Sequence, residues 1–341
     1  MAFKNLVILL LSRFLRSRLS SFLCRVAFRK PAFVITTNPG AFLGNQLTIY
    51  AHVIACAQEC GREVWGPSFF MYAKHFESSS RDLFTRWPTR RSFLYPLQSL
   101  RVFLYYYVFA RVVRVILLHP EPPVKDVTVI TDYERKQSLE SPEFLRETSG
   151  RRVVIIEGYF FRTSGSKVRA HALAIKEYFK PLKRHEARAA AVVRQARIGA
   201  DVLVGVHLRQ FDPIIDHIPH PVYRYQNADQ TTGPMRHTAD LFPGKKVAFL
   251  LVSNNPVDPG RFPGFSAAQS TGHIAEDLHA LSLCDYILAS TYSTYSRWAS
   301  FYGQVPLYQI ENPGDVFALE DFRVHTPGVN DPTNESGPAE G

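Results

Sequence analysis

Short, wholly apolar runs alternate along this chain with longer stretches in which apolar residues recur every three or four positions. FVITT (33–37) is the first run and is followed by the breaker-rich NPGAFLGNQ. Leu47, Tyr50, Ala51 and Ile54 then recur at i, i+3, i+4, i+7, which predicts an amphipathic helix over 46–60, stopped at Gly61. VTVIT (127–131) and VVII (153–156) read as further buried strands, and 167–198 as helical with a break at Pro181. A second series opens with VLVGVH (202–207) and KVAFLLVS (246–253). Ile274, Leu278 and Leu281 space a helix over 273–284; DYILAS (285–290), a helix from Ser293 to Phe301, and VPLYQI (305–310) follow.

Apolar strands separated by helices predict an α/β protein whose parallel sheets are covered on both faces. The two series predict two Rossmann-like lobes with a cleft between them. Residues 31–195 form the first and 196–326 the second. A basic apolar segment (1–30) precedes them, and a tail (327–341) of turn and polar residues, expected to be disordered, follows. Ligands of open α/β sheets sit at the carboxyl ends of the strands, so the residues there are the candidates.

Composition narrows the classes. At 341 residues, 46% hydrophobic and 21% charged, the chain is neither disordered throughout nor a coiled coil. The net charge of +10 is concentrated in two places: residues 1–30 carry seven Lys or Arg and residues 86–118 six Arg, neither with an acid. The remainder is slightly acidic. These cations interrupt the most apolar stretches, LVILLLSRFL and RVFLYYYVFARVVRVILL, a pattern that suits an anionic membrane surface better than nucleic acid. Neither stretch reaches the ~18 apolar residues of a spanning helix. The expectation is a cytoplasmic protein held peripherally at a membrane. The first segment stays open between an interfacial helix and an uncleaved signal anchor, and 99–118 between membrane contact and packing in the first lobe. Four cysteines match no disulfide scaffold or zinc ribbon; Cys56 and Cys60, four apart on one helix face, read as packing residues.

Three groups of residues fall at predicted strand ends. Gly44-Asn45-Gln46 leads into the first helix, whose N-terminus suits an anion. His207-Leu208-Arg209-Gln210-Phe211-Asp212 lies where VLVGVH runs out; Arg209 offers a planar fork for phosphate oxygens, and Asp212 can orient it or meet a sugar hydroxyl. Ser293, Thr294, Tyr295 and Ser296 cluster hydroxyls at a strand-to-helix turn. His207, Asp212, Asp216, His217 and His220 also resemble a metal box, but Pro219 keeps His217 and His220 off a shared helical turn.

The segment LGNQLTIYAHVIACAQECG resembles the N-terminal motif of the alpha-1,2-fucosyltransferases and their GDP-fucose-using relatives. HLRQFD is similar to that superfamily's H-x-R-x-x-D motif. DLHALSLCDYILAS followed by STYSRWASFYG resembles its C-terminal motif. The resemblance implies a GT-B architecture and inverting, metal-independent transfer of a sugar, L-fucose from GDP-fucose, onto a glycan or lipid-linked sugar hydroxyl. The donor is a co-substrate and no further cofactor is implied. Arg209 would hold the diphosphate, His207 would shape that pocket, and Asn45 would lie near the phosphates or the reacting carbon. Gly44, Gln46, Asp277, Ser293, Thr294, Tyr295 and Ser296 would complete the donor site, and Asp212 is a candidate base. The chain departs from the family pattern at Gln210 and Phe211 (usually Arg and Gly), Asn254-Asn255 (usually an acidic pair) and Arg297 (usually aromatic). The competing classes are a metal-dependent hydrolase built on His207, Asp212, His217 and His220, and a non-catalytic membrane- or RNA-binding protein built on the basic segments.

Overall fold

The computed structural model describes residues 28–37, 42–91, 98–104, 127–131, 137–210 and 228–328. The chain divides into two compact units, 1–180 and 181–341.

In the first unit β1 (Ala32–Ile35) is buried along its whole length, and α1 (Leu43–Glu59) follows it. The helix begins three residues before the periodicity predicts, because Gln46 N–H already bonds the Phe42 carbonyl and Leu43 is buried. Gly44, Asn45 and Gln46 are therefore its first turn and not a loop ahead of it. β2 (Glu63–Trp65), β3 (Val127–Thr131), the short β4 (Gln137–Ser138), α2 (Pro142–Thr148), β5 (Val153–Glu157) and the short β6 (Phe161–Arg162) come next. β2, β1, β5 and β3 form one parallel sheet in that order. The β2 edge is covered by a single antiparallel bridge, in which Val64 and Trp87 exchange both backbone hydrogen bonds at 2.8 Å. α3 (Gly165–Ala170) and α4 (Ala172–Tyr178) end the unit.

Pro181 separates α4 from α5 (Lys183–Ala196), so the helical stretch 167–198 is three helices. α5 belongs to the second unit, although the sequence reading ends the first lobe at 195. Its buried stripe of His185, Ala189, Val193 and Ala196 and the 2.8 Å contact of His185 Nδ1 with Glu276 Oε1 explain why. Arg197 beyond it forks onto Asp285 at 2.7 and 2.8 Å. The unit continues as β7 (Val202–Leu208), α6 (Ala228–Asp240), β8 (Val247–Ser253), β9 (Ser266–Gln269), α7 (Ile274–Leu281), β10 (Tyr286–Ser290), α8 (Thr294–Gly303) and β11 (Leu307–Ile310). Sequence patterning misses β2, β4, β6, β9, α2 and α6. β9, SAAQ, is an edge strand with no large apolar residue, and α6 carries Gly233 and Pro234 within it.

All five strands of the second sheet are parallel, in the order β11-β10-β7-β8-β9. β7 is central and wholly buried, and its residues alternate between two faces. Val202, Val204, Val206 and Leu208 join Met235, Phe242 and Phe262 in one core. On the other face a Cβ at Gly205 would lie 2.7 Å from Leu281 and 3.1 Å from Cys284 Sγ, so the missing side chain lets α7 settle on the strand. His207 shares that face by the same alternation. The β11 edge is covered by Arg323, which exchanges two backbone hydrogen bonds with Leu307 at 2.9 and 3.2 Å.

α8 ends as closely against α7 as α7 lies against β7. A Cβ at Gly303 would meet the Ser282 carbonyl oxygen at 2.0 Å, a backbone atom with nowhere to go. Gly303→Ala should therefore destabilise the second unit by about 1–3 kcal/mol, the usual cost of forced overpacking. Chemical denaturation of the variant beside the parent chain checks this, and an unchanged midpoint contradicts it.

Candidate functional site at the switch point of the second sheet

The chain leaves β7 toward β8 on one side and returns from β9 to β10 on the other, so the topological switch lies between β7 and β10. Their ladder pairs Ala289 with His207 and then stops. Beyond it side chains take over from backbone. The Ser290 hydroxyl donates to the His207 carbonyl at 3.3 Å and accepts Arg209 N–H at 3.0 Å. On the β8 side Asn254 accepts Gln210 N–H at 2.8 Å and donates to the Gln210 carbonyl at 3.0 Å. Arg209 thus leaves the sheet with its own N–H held from the β10 side and the next residue, Gln210, held from the β8 side.

His207 is buried beneath this rim. Ser293 Oγ lies 3.1 Å from its Nδ1 and accepts the Ser296 N–H at 3.3 Å, so one hydroxyl caps α8 and fixes the imidazole. Burial, and next the Arg209 cation, lower the His207 pKa to about 3. The ring is neutral at physiological pH. The pairing that satisfies both partners has Ser293 donating to Nδ1, which leaves the ring proton on Nε2 as a donor. Tyr295 lies against the ring, centroids 5.1 Å apart, and donates its own hydroxyl to the Ile274 carbonyl at 2.6 Å. Tyr292, at φ 61°, turns the chain sharply between β10 and α8; a left-handed residue with a side chain costs about 1–3 kcal/mol and is found where a site demands the turn.

Asp277, in the first turn of α7, accepts the Ser270 hydroxyl at 2.6 Å and the Thr271 hydroxyl at 2.9 Å. It ties the turn after β9 to the helix, and desolvation holds its pKa above the ordinary value despite those bonds. Thr294 opens α8, and Ser296 is buried with its hydroxyl donated to the Ser293 carbonyl at 3.3 Å. The residues brought together are therefore His207, Arg209, Ser293, Thr294, Tyr295 and Ser296, with Asp277 on the neighbouring turn. Gly44, Asn45 and Gln46 belong to the first unit. There Gly44 and Gln46 are buried, Asn45 is half-buried, and the Gly44 carbonyl accepts Thr48 Oγ1 at 2.8 Å. Phe211, Asp212, Asp216, His217 and His220 lie outside the described residues.

Two contributors were missed by sequence reasoning. Ser290 ends DYILAS, and a hydroxyl at the carboxyl end of a parallel strand is the signal that marks it. Asn254 stands in the departure from the acidic pair, and only the structure shows its amide closing on Gln210. Arg297, the third departure, is buried and donates to Gln309 Oε1 at 3.2 and 2.7 Å.

No family model matches the sequence, and no curated protein does. Solved structures do. The fucosyltransferase NodZ from Bradyrhizobium is 17% identical with a TM-score of 0.50, covering 83% of this chain and 96% of that one. A mutant of Arabidopsis thaliana FUT1 in complex with GDP is 13% identical with a TM-score of 0.50, over 83% of this chain and 72% of that one. Likeness at this level defines the architecture: the chain is an α/β protein with the GT-B fold of fucosyltransferases.

The neutral imidazole has a measurable consequence. A histidine whose pKa is lowered on folding contributes stability that is present above its unfolded value, about 6.5, and lost as pH falls. His279 and His325, both held at about 4 chiefly by burial, act in the same direction. The second unit should lose stability steadily from pH 6.5 to 4. In His207→Asn, which keeps a partner for Ser293, that loss should be shallower. Urea midpoints across this range test it, and identical slopes in both chains refute it.

Proposed function

We propose that this chain is a glycosyltransferase that moves L-fucose from GDP-fucose, with inversion, onto a hydroxyl of a glycan or lipid-linked sugar. The observation that carries this reading is the rim at the β7–β10 switch. There Arg209 leaves the sheet near a neutral His207 whose imidazole is met by the hydroxyl that caps α8, in a GT-B fold whose solved examples include a GDP complex.

Breaking a sugar–diphosphate bond requires the departing negative charge to be met by fixed positive charge and donors. Arg209 supplies a bidentate fork, His207 Nε2–H a neutral donor, and the N-terminus of α8 its positive dipole end. His207 stays uncharged because burial disfavours the charged ring and the nearby Arg209 cation disfavours it further. The acceptor hydroxyl then attacks the electron-poor anomeric carbon from the face opposite the diphosphate. Asp277 with the turn it ties is assigned to the nucleoside end of the donor, and Asn45, in the first unit, keeps only the place near the phosphates or the reacting carbon that the family resemblance implies.

Thermal unfolding against a panel of nucleotides and nucleotide sugars is the direct test. Stabilisation follows RT ln(1 + [L]/Kd), about 2.7 kcal/mol at a hundredfold excess over Kd. GDP and GDP-fucose should stabilise, and UDP-sugars should not. Arg209→Lys should lose roughly 2–4 kcal/mol of transition-state stabilisation, since an ammonium cannot reproduce the fork. Full turnover in Arg209→Ala, or no response to GDP, rejects the reading.

Peripheral attachment to an anionic membrane belongs to the same proposal. It rests on the basic apolar stretches 1–30 and 86–118, which fall largely outside the described residues. Among the described residues no helix is long and apolar enough to cross a membrane. Each Lys or Arg near such a surface contributes about 1 kcal/mol within a Debye length. Binding to anionic vesicles should therefore weaken with salt, and binding that ignores salt removes the electrostatic role.

A further inference from the structure

α5 packs on the second unit with one face only. His185, Ala189, Val193 and Ala196 are buried, while Lys183, Arg184, Arg188 and Arg194 are exposed on the opposite side, separated by uncharged residues. Glu186, the one acid of the helix, is half-buried, so the exposed side carries no negative charge. Arg188 reaches Glu276 at 3.3 Å, whereas Lys183, Arg184 and Arg194 form no ion pair among the described residues. Other cations are engaged by the fold. Arg86 binds the buried Asp82 at 2.8 Å, Arg90 pairs with Glu63, and Arg197 forks onto Asp285. Two of the six arginines in 86–118 are thus held within the first unit.

The fold gains nothing from this row of charge. Lys183 and Arg184 stand in the first turn of α5, where cations oppose the helix dipole and only Glu186 offsets them. Arg184 and Arg188 are like charges four apart, which repel. A solvated helix face ordinarily mixes signs and pairs them. At its carboxyl end the row runs into apolar surface, where Ile198 is 69% and Leu283 37% exposed. Arg197, next to Ile198, donates to the Leu283 carbonyl at 3.2 Å and so joins the two segments.

We propose that the exposed face of α5 is where the second unit docks on an anionic lipid surface. Lys183, Arg184, Arg188 and Arg194 meet the headgroups, and Ile198 and Leu283 enter the boundary of the acyl layer. This rests on the peripheral membrane attachment proposed above and names a surface for it outside the two basic segments. Charge complementarity selects the partner. From Lys183 to Ile198 the row is about 22 Å long at the helical rise of ~1.5 Å per residue, and a straight convex row meets a flat layer of phosphates. Apolar side chains at one end gain from a lipid boundary and gain nothing from a phosphodiester backbone. Single-stranded RNA calls for aromatic side chains on which bases stack, and the exposed face of α5 has none. Ile198 and Leu283 precede β7 and β10, so they lie at the amino end of the sheet, about 20 Å along the strand from the carboxyl-end rim. Docking there leaves the rim open to its substrates.

The test uses the whole chain and sedimentation with vesicles of phosphatidylcholine, alone or mixed with phosphatidylserine. A variant combining Lys183→Gln, Arg184→Gln and Arg194→Gln removes the three unpaired cations and leaves Arg188 beside Glu276. Expected at low salt is partition onto the mixed vesicles roughly a hundredfold weaker than the parent's, the combined effect of three cations at such a surface. Its urea midpoint should equal or exceed the parent's, because charges that oppose the dipole and repel one another are gone. A variant that binds the mixed vesicles as tightly as the parent overturns the proposal and leaves attachment to the other segments. A parent that ignores the mixed vesicles rejects the membrane reading as a whole, and this face with it. A lowered midpoint assigns the cations to the fold. Lost binding to a single-stranded RNA homopolymer, with vesicle binding unchanged, assigns them to nucleic acid. Either result overturns the docking face.

Discussion

The candidate site depends on how a parallel ladder ends. Strands β7 and β10 pair as far as His207 and Ala289, and past that point the β7 backbone still carries donors and acceptors that need partners. Ser290 supplies them on one side and Asn254 on the other. Two side chains thus extend the sheet by two residues without extending its strands. Arg209 is set by the same bonds. A cation on a free loop would sample many backbone positions, whereas here the root of the side chain is held, which narrows where its fork can reach.

The second layer of the site follows from period two. β7 shows its even residues to the α6 core and its odd residues to α7 and α8, and His207 is the odd position at the carboxyl end. The small residue two places earlier, Gly205, admits α7. The hydroxyl that caps α8 then falls on the imidazole. A histidine buried this way, beside a cation, has only its neutral form available. That decides its chemistry as a donor and acceptor rather than a charge.

Much of this was legible in the sequence, and the limits have physical causes. VLVGVH, KVAFLLVS and DYILAS are apolar runs of strand length rich in β-branched residues, the mark of buried parallel strands, so the second sheet and its carboxyl-end candidates were legible. Edge strands carry no such mark: SAAQ at β9 is half polar because half of it meets solvent. The first helix was read from 46 because its amphipathic count starts at Leu47, whereas burial of Leu43 and the Gln46–Phe42 bond start it earlier. The packing reading of the two cysteines holds for Cys56 only. Periodicity places both on one face, but it does not reveal that the helix ends at Cys60 and leaves it in water. Asn254 illustrates the remaining gap, since a side chain that substitutes for a strand neighbour has no signature until the strand beside it is known.

Each of the two larger sheets also carries one edge strand closed by a single residue of a following loop: Trp87 on β2 and Arg323 on β11. An uncovered edge of a parallel sheet is a row of free amides and carbonyls, open to pairing with any extended chain. One bridging residue removes two of those groups and blocks the approach to the rest. Solubility of the second unit thus depends partly on the segment after β11, which adds nothing to the β7–β10 rim. A fragment cut just beyond Ile310 would retain every side chain of that rim and still expose β11 as a template for self-association. The boundary of the soluble unit therefore lies further along the chain than the boundary of the site.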